Sequence, residues 1–89
     1  MLRVGLIGAG AAGRKRAAAV RDYGGSELVA VCDLVAGLAQ SLAADTGART
    51  IDSWQVAVDD GDCDVIVVST AHDMLAPISA AALAAGKHV

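Results

Sequence analysis

The chain has 89 residues, enough for one small domain, in which roughly 60–65% of the unfolded surface is buried. Apolar residues make up 55% of it, with 20 alanines, 11 valines and no phenylalanine; a disordered chain lacks that much apolar surface. Ten acidic residues against seven basic ones leave a net charge of −3, so no basic field draws nucleic acid. Cys32 and Cys63 share no C-x-x-C spacing and each adjoins an apolar run, which reads as buried free thiols in a reducing compartment. The longest uncharged stretch, Met74 to Gly86, has 13 residues, short of the ~18–20 that span a bilayer. The opening Met1-Leu2-Arg3 imitates a signal peptide, but four glycines and then Arg14-Lys15-Arg16 follow. The expectation is a cytoplasmic protein with no membrane contact.

Leu2 to Gly8 reads as a short apolar strand ending in glycine. Gly13, Ala17 and Val20 then form one helical stripe, which Gly24-Gly25 ends. Ser26 to Asp33 carries an apolar run of strand length, the pattern of a strand covered on both faces. Val35, Leu38, Ala39 and Leu42 give a second helical stripe, ended by Gly47. Arg49-Thr50-Ile51 has room only for a short strand, and Ser53 is placed to cap a short helix through Asp59. Asp59-Asp60-Gly61-Asp62 reads as a solvated turn rather than a calcium loop. Asp64 to Ser69 is the strongest strand, β-branched at four successive positions. Asp73 is the cap candidate for a last helix carrying Leu75, Ile78 and Ala82 and closed by Gly86. Pro77 falls in its first turn, where a missing N–H costs little, and His88-Val89 starts another strand. Strands alternating with helices in this way predict an α/β fold: a Rossmann-type, doubly wound parallel sheet of strand order 3-2-1-4, with helices on both faces.

Gly8-Ala9-Gly10-Ala11-Ala12-Gly13 is G-x-G-x-x-G between a strand and a helix. Gly8 permits the tight turn, Gly10 admits a pyrophosphate to the backbone, and Gly13 lets the helix lie close to the strand. The helix N-terminus then offers N–H groups and positive potential to the phosphates. Asp33 stands 20 residues after Gly13, at the end of the second strand, the place for a carboxylate that accepts the adenosine ribose hydroxyls. It would repel a 2′-phosphate, and Leu34-Val35 supplies no arginine to hold one, so NAD is expected over NADP. Arg49 is a cation whose position relative to that ribose the sequence leaves open. Ser69, Thr70 and His72 follow the fourth strand at its carboxyl end, where open α/β sheets bind ligands. Thr70 and His72 there face the nicotinamide half of a dinucleotide; in the plainer reading Asp73 caps the helix and His72 is a surface residue. No metal-ligand spacing and no catalytic triad are present. Arg14-Lys15-Arg16 reads as a solvated helix face.

Arg3 to Gly10, Glu27 to Asp33, Val67-Val68-Ser69-Thr70 and the ending Ala85-Gly86-Lys87-His88-Val89 together resemble the glucose-fructose oxidoreductase, inositol dehydrogenase and rhizopine-catabolism (Gfo/Idh/MocA) family. The resemblance covers the whole chain. It implies the N-terminal dinucleotide-binding domain of an enzyme that moves hydride between NAD(P) and a hydroxyl-bearing carbon of a sugar, inositol or related polyol. It also implies a domain, residues 1–89, that stops before the family's E-K-P lysine and lacks its C-terminal substrate domain. The chain alone would then bind nucleotide without turnover. The residues that carry over are Gly8, Ala9, Gly10, Ala11, Ala12 and Gly13 for the pyrophosphate, Asp33 for the ribose, and Ser69, Thr70 and His72 toward the nicotinamide. Ala71 departs from the family's usual proline and Leu75 from a frequent histidine. An edge left open beside the fourth strand would favour self-association. Two readings of other classes compete: a non-enzymatic NAD/NADH sensor, and an S-adenosylmethionine-dependent methyltransferase fragment, against which Gly13 argues.

Overall fold

Strand and helix alternate from one end of the chain to the other. In the computed structural model, which describes residues 1–70 and 72–89 and the backbone alone of His72, the order is β1 (Leu2–Ile7), α1 (Ala11–Asp22), β2 (Ser26–Cys32), α2 (Ala36–Thr46), β3 (Arg49–Ile51), α3 (Trp54–Asp59), β4 (Val65–Val68) and α4 (His72–Ala84). The strands form one parallel sheet in the order β3-β2-β1-β4, as the alternation predicts. Ile7 pairs with Cys32 and Val68, and Cys32 pairs with Ile51, which brings the four carboxyl ends to one edge. Beyond β4, His88 makes a parallel bridge to Val65, the first step of the further strand.

The pleat sends successive side chains to opposite faces, and the core divides accordingly. Leu6, Ala9 and Val31 pack with Ala17 of α1 and Ala39 and Leu42 of α2. Ile7, Ala30, Cys32, Ile51 and Ile66 pack with Ala57 and Val58 of α3 and Ile78 and Ala82 of α4. Both cysteines are free and buried, and burial pushes both thiols up. Ser53 caps α3, its Oγ accepting the Val56 N–H at 3.3 Å. None of the described helices is long and apolar enough to cross a membrane.

Three local expectations need correction. The α2 stripe is rotated: Ala39, Leu42 and Ala43 are buried, while Leu38 and Val35 are exposed and Val35 is the N-cap. Alanine lets the helix approach the sheet more closely than leucine would. Asp73 is inside the first turn of α4 rather than its cap. Pro77 is therefore the sixth helical residue, in the second turn, where it removes the helical bond to the Asp73 carbonyl.

The acidic loop is the expected solvated turn, with Asp59, Gly61 and Asp62 exposed, and it is also a fastening. Asp60 accepts from Arg49 and from the Asp62 N–H at 2.9 Å, and its carbonyl accepts from Lys87 Nζ at 2.7 Å. Arg3 holds Asp64 through Nε at 3.2 Å and Nη2 at 3.0 Å, and its own N–H donates to the same carboxylate at 2.9 Å. These contacts tie the loop before β4 to β1, β3 and the C-terminal segment. The Arg3 hydrogen bonds hold the Asp64 carboxyl down to about 2, from an ordinary value of 3.8. A depressed folded value means stability that is complete above the unfolded value and lost as pH falls through the folded one. The urea midpoint should hold above pH 4 and fall between about pH 4 and 2, more steeply for wild type than for Asp64→Asn. Equal slopes for the two proteins would remove Arg3–Asp64 from the explanation.

Candidate dinucleotide-binding site

The turn that leaves β1 lies at the carboxyl edge, between the ends of β2 and β4. The Gly8 N–H donates to the Cys32 carbonyl and the Ser69 N–H to the Ile7 carbonyl, both at 2.8 Å. Gly8 has φ +104°, and a Cβ there would overlap the Ser69 carbonyl. At Gly13 a Cβ would overlap the Gly8 carbonyl oxygen, so the first turn of α1 rests directly on the turn before it. Only glycine fits either position.

Gly10 differs. Its φ is −74°, which any residue adopts, and a Cβ would meet nothing within 4 Å. It is the N-cap of α1, with no side-chain cap and no acidic residue in the first turn. By helix geometry the N–H groups of Ala11, Ala12 and Gly13 have no carbonyl partner within the helix, and Ala11 and Ala12 are exposed. The outcome is an open, positively polarised backbone concavity suited to an anion.

Asp33 follows β2 at the same edge. Its Oδ2 accepts the Ala9 N–H at 2.6 Å and its Oδ1 the Val35 N–H at 2.8 Å. Ala9 is fully buried, so Asp33 satisfies a donor that would otherwise be orphaned, a cost of about 1–3 kcal/mol. This second task has no signature in sequence spacing, because it depends on a contact 24 residues away along the chain. Each carboxylate oxygen still has a further lone pair for a ligand hydroxyl.

Ser69 and Thr70 are half-buried beside the glycine turn, the Thr70 nitrogen lying 3.3 Å from a Cβ on Gly8. His72 opens α4; its side chain and all of Ala71 lie outside the described residues. Arg49 is turned away from the site: it begins β3, and its guanidinium is held by Asp60 and Asp62 at the amino edge. Arg14 reaches across to α2, donating to Asp45 at 3.1 Å and Ser41 at 2.7 Å, while Lys15 and Arg16 are exposed. One carboxylate at this edge escaped the sequence reading. Asp52 follows Ile51, the partner of Cys32, and so stands level with Asp33 on the neighbouring strand.

Comparison with known proteins agrees with this fold. Residues 2–89 match the model of the oxidoreductase family with an NAD-binding Rossmann fold. An inositol 2-dehydrogenase of Saccharopolyspora erythraea is 37% identical over 99% of this chain and 26% of its own length. One of Salmonella typhimurium is 31% identical over 99% and 27%. The crystal structure of biliverdin reductase from Synechocystis sp. PCC 6803, in complex with biliverdin and NADP+, superposes with a TM-score of 0.93 at 34% identity, covering 99% of this chain and 28% of that one. Myo-inositol dehydrogenase from Lactobacillus casei, in complex with NAD(H) and myo-inositol, gives 0.92 at 27% identity, covering 98% and 26%. The chain thus spans about a quarter of the length of the relatives it matches. It belongs to the Gfo/Idh/MocA oxidoreductase family and comprises that family's NAD(P)-binding Rossmann domain.

Proposed function

We propose that the carboxyl edge binds NAD, with Gly8 to Gly13 around the pyrophosphate, Asp33 on the adenosine ribose, and Ser69, Thr70 and His72 on the nicotinamide side. The chain is then the nucleotide-binding part of an oxidoreductase acting on a hydroxyl-bearing carbon of a sugar, inositol or related polyol. When bound, the nicotinamide takes up or returns the hydride; the residues of this chain bind and orient it. Substrate groups and acid–base residues belong to a separate domain, and the expected setting is the cytoplasm. NAD is favoured over NADP because Asp33 opposes a 2′-phosphate, Leu34 and Val35 carry no charge, and Arg49 is engaged elsewhere.

The observation that carries this reading is the contrast among the three glycines. The fold itself requires Gly8 and Gly13, whereas among the described residues nothing would meet a Cβ on Gly10, which leaves its backbone open to a phosphate. Gly10→Ala should therefore keep its melting behaviour to within about 0.5 kcal/mol and weaken NAD binding at least tenfold by calorimetry. Gly13→Ala should lose about 3 kcal/mol or more, because backbone must move. Unchanged NAD affinity in Gly10→Ala would sink the assignment. Side-by-side titration with NADP and S-adenosylmethionine ranks the ligands, and S-adenosylmethionine binding more tightly than NAD would favour the methyltransferase reading.

The 89-residue chain, incubated with NAD and a panel of polyols, should bind nucleotide and show no turnover; measurable NADH production would refute the division of labour proposed here. Among the described residues, β4 carries one bridge on its outer edge, to His88, and no strand beside its carboxyl half. We propose that this edge supports self-association. Light scattering should show mass above the monomer, and a monomer at every concentration would refute it.

A further inference from the structure

We propose that Asp52 is a second determinant of dinucleotide choice, its carboxylate joining that of Asp33 to exclude a 2′-phosphate from the adenosine ribose. The proposal rests on the reading of the carboxyl edge as the dinucleotide site. Cys32 and Ile51 are register partners on adjacent parallel strands, and such strands run about 5 Å apart. Asp33 and Asp52 each follow their partner directly, so the two residues stand at the same height at the ends of neighbouring strands. Both act on the Cys32 thiol: burial raises it most, then Asp33, then Asp52. The two charges are therefore felt at one point of the sheet.

Among the described residues the Asp52 side chain makes no hydrogen bond or ion pair. It is exposed, and the capping of α3 falls to its neighbour Ser53. Asp33, by contrast, is committed through both oxygens to backbone N–H groups, so its substitution mixes loss of binding with loss of the turn. A 2′-phosphate brings about −1.5 to −2 charges at neutral pH to a ribose held by Asp33. Beside it would be a second negative charge, and two arginines are engaged elsewhere: Arg49 is held at the amino edge and Arg14 by Asp45 and Ser41. A 2′-hydroxyl feels no such repulsion. Asp52 thus acts through its field and needs no contact with the cofactor.

Calorimetric titration of the 89-residue chain and its Asp52→Asn and Asp52→Lys variants with NAD and with NADP tests this, the readout being the ratio of the two dissociation constants. At 20 mM salt the ratio should shift toward NADP about three- to tenfold in Asp52→Asn and further in Asp52→Lys. In 1 M NaCl, where the screening length is about 3 Å, the shift should largely vanish. A ratio unchanged in both variants would overturn the proposal. So would equal weakening of both dinucleotides, which would make Asp52 a contact to the shared adenine. Failure of the wild-type chain to bind either dinucleotide is a different result: it overturns the site reading beneath the proposal, before any variant is compared.

Discussion

At Gly13 the backbone of α1 rests on the carbonyl oxygen of Gly8, with no space between them for a side-chain carbon. The rest of the edge follows from that contact. It sets where α1 begins and therefore where its N–H groups point. It presses the turn against Ser69 at the end of β4, where the positive φ of Gly8 is the only way through. The remaining freedom of the turn is taken up by Asp33, which accepts the buried Ala9 N–H and fastens the turn to the end of β2. Three strand ends are thereby locked around one small concavity. Gly10, the residue left facing it, is the one whose own surroundings make no demand.

The same economy of side chains runs through the core. Each helix meets the sheet through alanine: Ala17 in α1, Ala39 in α2, Ala57 in α3 and Ala82 in α4. Alanine allows close approach but contributes little apolar area, at roughly 0.8 kcal/mol per buried CH₂ group. The larger contributions come from Leu6 and Val31 in one core cluster and Ile66 and Ile78 in the other. Charge is sorted by edge. Arg3, Arg49 and Lys87 are gathered with Asp60, Asp62 and Asp64 at the amino ends of the strands. That leaves Asp33 and Asp52 at the carboxyl ends beside the positive end of α1, a division that serves an anionic ligand carrying free hydroxyls.

Much of this was legible from the residues alone. Hydrophobic runs of strand length, glycine stops and G-x-G-x-x-G followed by Asp33 each depend on neighbours within one or two elements, and such short-range signals survive in sequence. The strand order 3-2-1-4 also followed, because crossover connections leave few alternatives. The exact face of α2 did not follow. Val35 and Leu38 outrank alanine in hydrophobicity, yet the sheet's nearness selects Ala39 and Ala43 for burial. The loop at residues 59–64 has a solvated composition, and its ion pairs join residues 11 to 61 positions apart.

Sequence by itself thus determined the fold class, the order of the strands and the fingerprint of the candidate site, all of them properties of local pattern and permitted connection. Tertiary structure alone decided which cations are occupied at the amino edge, that Asp33 also closes the turn, and that Asp52 stands level with it. Those facts depend on strand register and on through-space distance, and no spacing along the chain encodes either.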